Sequence, residues 1–111
     1  MATKKNDLFT EQEQKLAVLF NALSHPARIS IIKFLAANNK CICGEIVNEL
    51  PLAQSTVSQH LKELKKAGLI KGEISGPKTC YCINWDTINL MKNNFDELFI
   101  KIKIDNKNAC C

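Results

Sequence analysis

The sequence predicts a mainly α-helical fold that carries one small β-hairpin. Three observations lead there. Apolar residues recur at spacings of three and four through most of the chain, the period of a half-buried helix. Between residues 69 and 84 that period gives way to two short runs around Ser75-Gly76-Pro77-Lys78, the pattern of two strands and a turn. The chain has 111 residues, 46% hydrophobic and 23% charged, with 4 Gly and 3 Pro, which suits one globular domain and excludes disordered and collagen-like chains.

The elements follow in order. Thr10-Glu11-Gln12-Glu13 is a capping box, in which the Thr10 hydroxyl accepts the backbone N–H three residues on and Glu13 reaches back. Leu16, Leu19, Phe20 and Leu23 then form a helical stripe. Ser24-His25-Pro26 ends this helix and starts a second, with Pro26 at the first helical position, where an N–H would be unpaired anyway. Ile29, Ile32 and Leu35, with Ile31 and Phe34 beside them, give it a broad buried face. A short third helix is expected over residues 43–50, with Ile46, Val47 and Leu50 turned inward. Pro51-Leu52 makes a turn. A fourth helix runs over 54–67 with Val57, Leu61 and Leu64 inward, and Gly68 follows as a left-handed cap. Strands at 69–74 and 79–84 form the hairpin. Asp86 is expected to cap a last helix over 87–103.

Two helices joined by a tight turn and followed by a hairpin make a winged helix-turn-helix, here in the order α-α-α-α-β-β-α. The expected organisation is a flexible arm over 1–9, the winged domain over 10–104, and a flexible Cys-containing tail over 105–111. On the last helix Ile88, Met91, Phe95, Leu98 and Ile102 recur at three, four, three and four, a heptad seam. Leu90, Phe99 and Ile104 widen it. Burying a large side chain is worth about 1.5–3 kcal/mol, so a wet stripe is costly. Either the helix folds back on its own core, or the first and last helices form a homodimer. The core is too small to cover both, so the dimer is expected.

The fourth helix opens with Ser55, Thr56, Ser58, Gln59 and His60 on its outer face or edge. Short hydroxyl and amide side chains allow close approach to DNA, and the positive helix end favours phosphate. Gln can pair with adenine. Behind them come Lys62, Lys65 and Lys66, then Lys71 and Lys78 on the hairpin. The formal charge is +4, and residues 53–78 hold five Lys against two Glu, net +3. A polar helix start can be a mere capping region and lysines a solvated face. With a helix-turn-helix before and a wing after, double-stranded operator DNA is the expected partner. The expected contacts are Ser55, Thr56, Ser58, Gln59, His60, Lys62, Lys66 and Lys78.

Other classes fall away. No apolar run approaches the roughly 20 residues that span a bilayer, and Met1-Ala2-Thr3-Lys4-Lys5-Asn6-Asp7 leads into polar residues. A cytoplasmic location without a membrane partner is expected, where thiols stay reduced and disulfide scaffolding is not expected of the six cysteines. Cys110-Cys111 is no prenylation box, which needs Cys four residues from the end. Two His, one Trp and one Tyr, no Gly-rich phosphate loop and no partnered nucleophile argue against an enzyme.

Ala22-Leu23-Ser24-His25-Pro26-Ala27-Arg28-Ile29 and Gln54-Ser55-Thr56-Val57-Ser58-Gln59-His60-Leu61-Lys62-Glu63-Leu64-Lys65-Lys66-Ala67-Gly68-Leu69-Ile70 strongly resemble the ArsR/SmtB family of small dimeric repressors. The resemblance spans residues 16–104, and its second stretch is highly specific. It implies a homodimer on a palindromic operator, released by a metal ion or other inducer. The family often has Ser just before the recognition helix; here Ala53 stands there, and weaker capping is expected.

Cysteine supplies the inducer chemistry. Cys41-Ile42-Cys43 is placed at a helix N-terminus, where the dipole favours thiolate, and thiolates select soft ions. The bland alternative is a pair of small buried residues. The resemblance decides between them, because arsenic- and cadmium-type members carry a Cys-x-Cys box at this place. Trivalent arsenic prefers three thiolates. The third Cys of some arsenic-sensing relatives is here Ile46, and the arm that serves cadmium-type relatives has no Cys. Cys110 and Cys111 remain as candidate third ligands. Cys80-Tyr81-Cys82 puts two thiols on one strand face. It is either a secondary soft-ion or redox site or, more simply, packing against the recognition helix, and i, i+2 geometry disfavours a Cys80–Cys82 disulfide. The family's zinc-type site is not expected, since the last helix offers Asp96 and Glu97 but no His.

The expected function is a repressor without a permanent cofactor that leaves its operator on binding As(III) or Sb(III). Cd(II) or Pb(II) is the alternative inducer. A thiol-redox or persulfide switch is a further alternative, and a cytosolic metal-buffering protein is the alternative of another class.

Overall fold

A computed structural model describes residues 8–38, 41–42, 46, 50–75 and 78–105; the side chains of 73–75, 78 and 105 fall outside that description too. Helix α1 spans Glu11–Ala22, α2 Pro26–Asn38, α3 Gln54–Lys66 and α4 Trp85–Asp105, with strands β1 Ile70–Ser75 and β2 Lys78–Ile83 between the last two helices. The mainly α, winged helix-turn-helix expectation therefore holds. Residues 1–7 and 106–111, most of the expected arm and tail, lie outside the described part.

Local chemistry sets the element ends. At α1 the capping box forms: Glu13 N–H donates to Thr10 Oγ1 at 3.0 Å and Thr10 N–H to Glu13 Oε1 at 3.0 Å. At α3 Ala53 offers no side-chain cap. The other end of α3 is closed fully. Leu69 N–H donates to the Leu64 carbonyl and Gly68 N–H to that of Lys65, both at 3.0 Å. This doubled closure needs a left-handed residue, and Gly68 has φ of 86°. At α4 the cap is not Asp86 but Asn84, whose Oδ1 faces the Thr87 N–H at 3.5 Å and whose carbonyl accepts from Ile88 N–H at 3.1 Å. Helix α4 starts two residues earlier than predicted, which leaves Asp86 in its first turn, where its charge still suits the helix dipole.

The core gathers Leu19, Ile31, Leu35, Ile46, Val57, Leu64 and Leu69 as its most buried large side chains. Ile29 was expected inside; it is exposed, and Ala27 and Ile31 take the inner face of α2. The short helix expected over 43–50 is described only at Ile46, which is helical and buried. The hairpin is antiparallel, from Ile70↔Ile83 to Ser75↔Lys78. The free edge of β2 carries one more pairing. Ile42 and Tyr81 exchange both backbone hydrogen bonds, at 2.8 and 2.9 Å, as an isolated antiparallel bridge. The segment leading out of α2 is thus stitched to the wing.

Along α4, Ile88 and Met91 pack on the core, while Phe95, Leu98, Phe99, Ile102 and Ile104 are exposed. Phe95 makes edge contacts with Phe20 of α1 at 5.4 Å and with Phe99 at 4.5 Å. A groove of about 710 Å³ opens between α1 and α4, lined among others by Val18, Leu90 and Asn94. Among the described residues no helix is long and apolar enough to cross a membrane.

Candidate nucleic-acid interface and inducer site

Helix α3 separates two faces by its period. Val57, Leu61 and Leu64 are buried, while Ser55, Thr56, Ser58, Gln59, Lys62 and Lys66 are exposed. These six expected contacts share one accessible surface. Gln59 Nε2 donates to Glu63 Oε2 at 3.1 Å. Lys78 opens β2 opposite Ser75, with its side chain outside the description. The stem of Lys65 crosses the wing at Gly72, where a Cβ would lie 3.0 Å from its ammonium.

His60 does not belong to that surface. It is 7% exposed and faces inward. Its spacing explains this: His60 lies three residues after Val57 and four before Leu64, so it joins the inner stripe. There Arg28 Nε donates to His60 Nδ1 at 3.1 Å, and Arg28 Nη1 donates to the Ala22 carbonyl at 3.2 Å. The ring of His25 lies 4.4 Å from that of His60, and His25 Nδ1 accepts the Ala27 N–H at 3.0 Å. Among the described residues His60 Nε2 has no hydrogen-bond partner. Burial first, then the charges of His25 and Arg28, lower the His60 pKa from its ordinary 6.5. An acceptor Nδ1 beside a guanidinium also favours the neutral ring. The cluster ties α3 to α2 and holds the recognition helix in place; it was missed because His60 was read by its polarity.

The thiols occupy three kinds of place. Cys41 is half-buried and stands one residue before the Ile42–Tyr81 bridge. It was expected at a helix N-terminus; Cys41 and the bridged Ile42 precede the helical Ile46, and residues 43–45 between them lie outside the described part. Cys43, Cys110 and Cys111 lie outside the described residues. In the wing Cys80 is buried, and Cys82 is a free, half-buried thiol. Cys80 is disulfide-bonded. Disulfides were not expected, because i, i+2 spacing disfavours a Cys80–Cys82 bond and local spacing says nothing of more distant partners. Among the described residues no three of His, Cys, Asp and Glu gather to hold a metal ion.

An exposed polar helix thus stands beside a wing and is held to α2 by a buried anchor. A sequence profile described as the bacterial regulatory protein, arsR family, matches residues 25–71. The chain is also 39% identical over 89 residues to an uncharacterized HTH-type transcriptional regulator of Methanocaldococcus jannaschii, covering 79% of this chain and 99% of that one. The chain belongs to the ArsR family. The arsenical resistance operon repressor of Bacillus subtilis is 30% identical over 112 aligned positions spanning both chains completely. Among solved structures, an ArsR-like transcriptional regulator from Rhodococcus sp. RHA1 matches with a TM-score of 0.73 at 20% identity, over 86% of this chain and 90% of that one. This ArsR-family chain is a DNA-binding transcriptional regulator and not an enzyme.

Proposed function

We propose that this ArsR-family repressor is a homodimer that leaves its operator when arsenite or antimonite binds thiolates at Cys41 and Cys43. One observation carries the reading: Cys41 adjoins a residue hydrogen-bonded to the wing strand. A ligand on this segment therefore acts on the element that follows α2 and on the wing together. Soft thiolate donors suit a trivalent metalloid better than a hard cation. Full-length similarity to an arsenical resistance operon repressor points the same way. The tail thiols Cys110 and Cys111 are the sequence's candidates for the third ligand.

DNA contacts fall to Ser55, Thr56, Ser58, Gln59, Lys62 and Lys66 on α3 and to Lys78 on the wing. His60 supports them from beneath. The dimer is built on α1 and α4, where the exposed apolar stripe and the groove between these helices require a cover. A two-fold dimer presents two recognition helices to two half-sites. Inducer and DNA then oppose each other reciprocally: whatever factor arsenite takes from DNA affinity, DNA takes from arsenite affinity.

The disulfide at Cys80 favours one second reading, a repressor released by thiol oxidation. The test is release of a labelled operator fragment, followed by fluorescence anisotropy, on adding arsenite, cadmium or peroxide to reduced protein. Release by arsenite that disappears in Cys41→Ser and Cys43→Ser is the expected result. Release by peroxide alone selects the second reading, and arsenite release that survives both substitutions removes the proposed site.

A further inference from the structure

We propose that the His25–His60 pair is a proton-driven release, in which protonation of these rings frees α3 from α2 and lowers operator affinity without the thiols. This release needs the chain's DNA binding and not its inducer site. The chain has two histidines, and both stand in one cluster. Each holds a helix through the same ring atom. His25 Nδ1 accepts the Ala27 N–H at 3.0 Å, while the His25 carbonyl accepts from Arg28 and Ile29 N–H, so His25 caps the start of α2. His60 Nδ1 accepts from Arg28 Nε at 3.1 Å, and that bond joins α3 to α2.

An imidazole that accepts at Nδ1 is neutral and carries its hydrogen on Nε2. A second proton can go only to Nδ1, where it meets a donor already in place. For His60 that donor belongs to a guanidinium, so a hydrogen bond is replaced by a contact of two cations. For His25 it is a first-turn backbone N–H, so the cap is lost and a cation stands at a helix N-terminus, the end that disfavours it. The rings lie 4.4 Å apart, so the two charges also oppose each other. From α2, His60 is faced by His25 and Arg28. From α1, the Ala22 carbonyl takes the other arm of Arg28. On α3 itself, Glu63 and Lys66 share a cavity of about 250 Å³ with Arg28, and Glu63 accepts from Gln59, not from His60. Among the described residues no carboxylate therefore receives an imidazolium at His60, and its buried Nε2 has no acceptor. The anchor persists only while His60 is neutral. Burial and these cations keep it so at neutral pH, and acidification lets α3 go.

The test uses the full chain, reduced and freed of metal by a chelator, with a labelled operator fragment. Anisotropy is read from pH 7.5 to 5.5 at constant ionic strength, with circular dichroism alongside. Wild-type affinity should fall at least about threefold over this range, since each proton taken up on release costs up to about tenfold per pH unit. A mere gain of positive charge would strengthen binding instead. In His60→Gln, affinity relative to that variant's own value at pH 7.5 should not fall. A second readout needs no variant. The His60 ring signal in wild type, followed by nuclear magnetic resonance, should titrate at lower pH with operator bound than without, because DNA and proton oppose each other reciprocally. Phosphate charge alone would raise that midpoint. Wild-type affinity that stays flat or rises on acidification overturns the proposal. So does an equal fall in His60→Gln, or a His60 midpoint that DNA leaves unmoved or raises. A fall that tracks loss of helical signal is unfolding and overturns it as well.

Discussion

Helices α3 and α4 both present a broad outer face, and the two faces differ in kind. That of α3 is made of hydroxyls, an amide and lysines, while its inner face closes on Val57, Leu61 and Leu64. That of α4 is apolar from Phe95 to Ile104, with Ile100, Ile102 and Ile104 at least half exposed. A polar exposed face at a helix start awaits a charged, hydrated partner. An apolar exposed face awaits another apolar face. On the proposed function the two helices divide the work, α3 for DNA and α4 for a second copy of the chain.

The largest effect should come from breaking the closed side of α3. Leu64 is fully buried and also forms the capped end of the helix with Leu69. Leu64→Ala should cost about 2–5 kcal/mol of stability, read as a lower urea midpoint with an unchanged slope. A loss under 1 kcal/mol would mean that α3 is held mainly from elsewhere. The next effect probes the open side of α4. Leu98→Asp puts a carboxylate into the stripe on both protomers. It should raise the dimer dissociation constant about 100-fold while leaving the helical content intact, by sedimentation and circular dichroism. Wild-type dimerisation in this variant would move the interface off α4.

A smaller effect sharpens the DNA side. Lys62→Ala and Lys66→Ala should each weaken operator binding and flatten the plot of log affinity against log salt by about 0.9. Gln59→Ala should leave that slope unchanged and relax preference at one base position. A slope change from Gln59→Ala, or none from the lysines, would put the phosphate contacts on the wing instead.

Much of this was legible because helical periods are local. The capping box at Thr10, the Gly68 cap and the split faces of α3 are all written within a few residues. The α4 stripe was equally legible, because the heptad count is independent of what covers it. What was not legible depended on tertiary neighbours. Asn84 displaced Asp86 as a cap because the chain leaves β2 one residue past Ile83 and turns at once. The Ile42–Tyr81 bridge joins segments about forty residues apart, and no spacing announces it. His60 is the reverse case. Its position on the inner stripe of α3 was readable from Val57 and Leu64, and chemical character hid it.

His60 also provides the mildest test of the division between faces. If it belongs to the inner face, protonation must disturb the anchor of α3 and not merely its contact with DNA. Its pKa in the fold lies below the ordinary 6.5, through burial and the charges of His25 and Arg28. The unfolded chain therefore binds the proton more readily, and folding is favoured by high pH. The stability tied to a neutral His60 is complete above 6.5. It is lost progressively as pH falls from there toward the lower value in the fold. Protonation would also set a donor N–H against the Arg28 Nε–H that now donates to Nδ1. Melting temperature should accordingly fall between about pH 7.5 and 5.5 in wild type and fall less steeply in His60→Gln, whose side-chain oxygen can still accept from Arg28. An equal slope in both proteins would return His60 to the outer surface. There its protonation would strengthen DNA binding on acidification and leave the melting temperature unmoved.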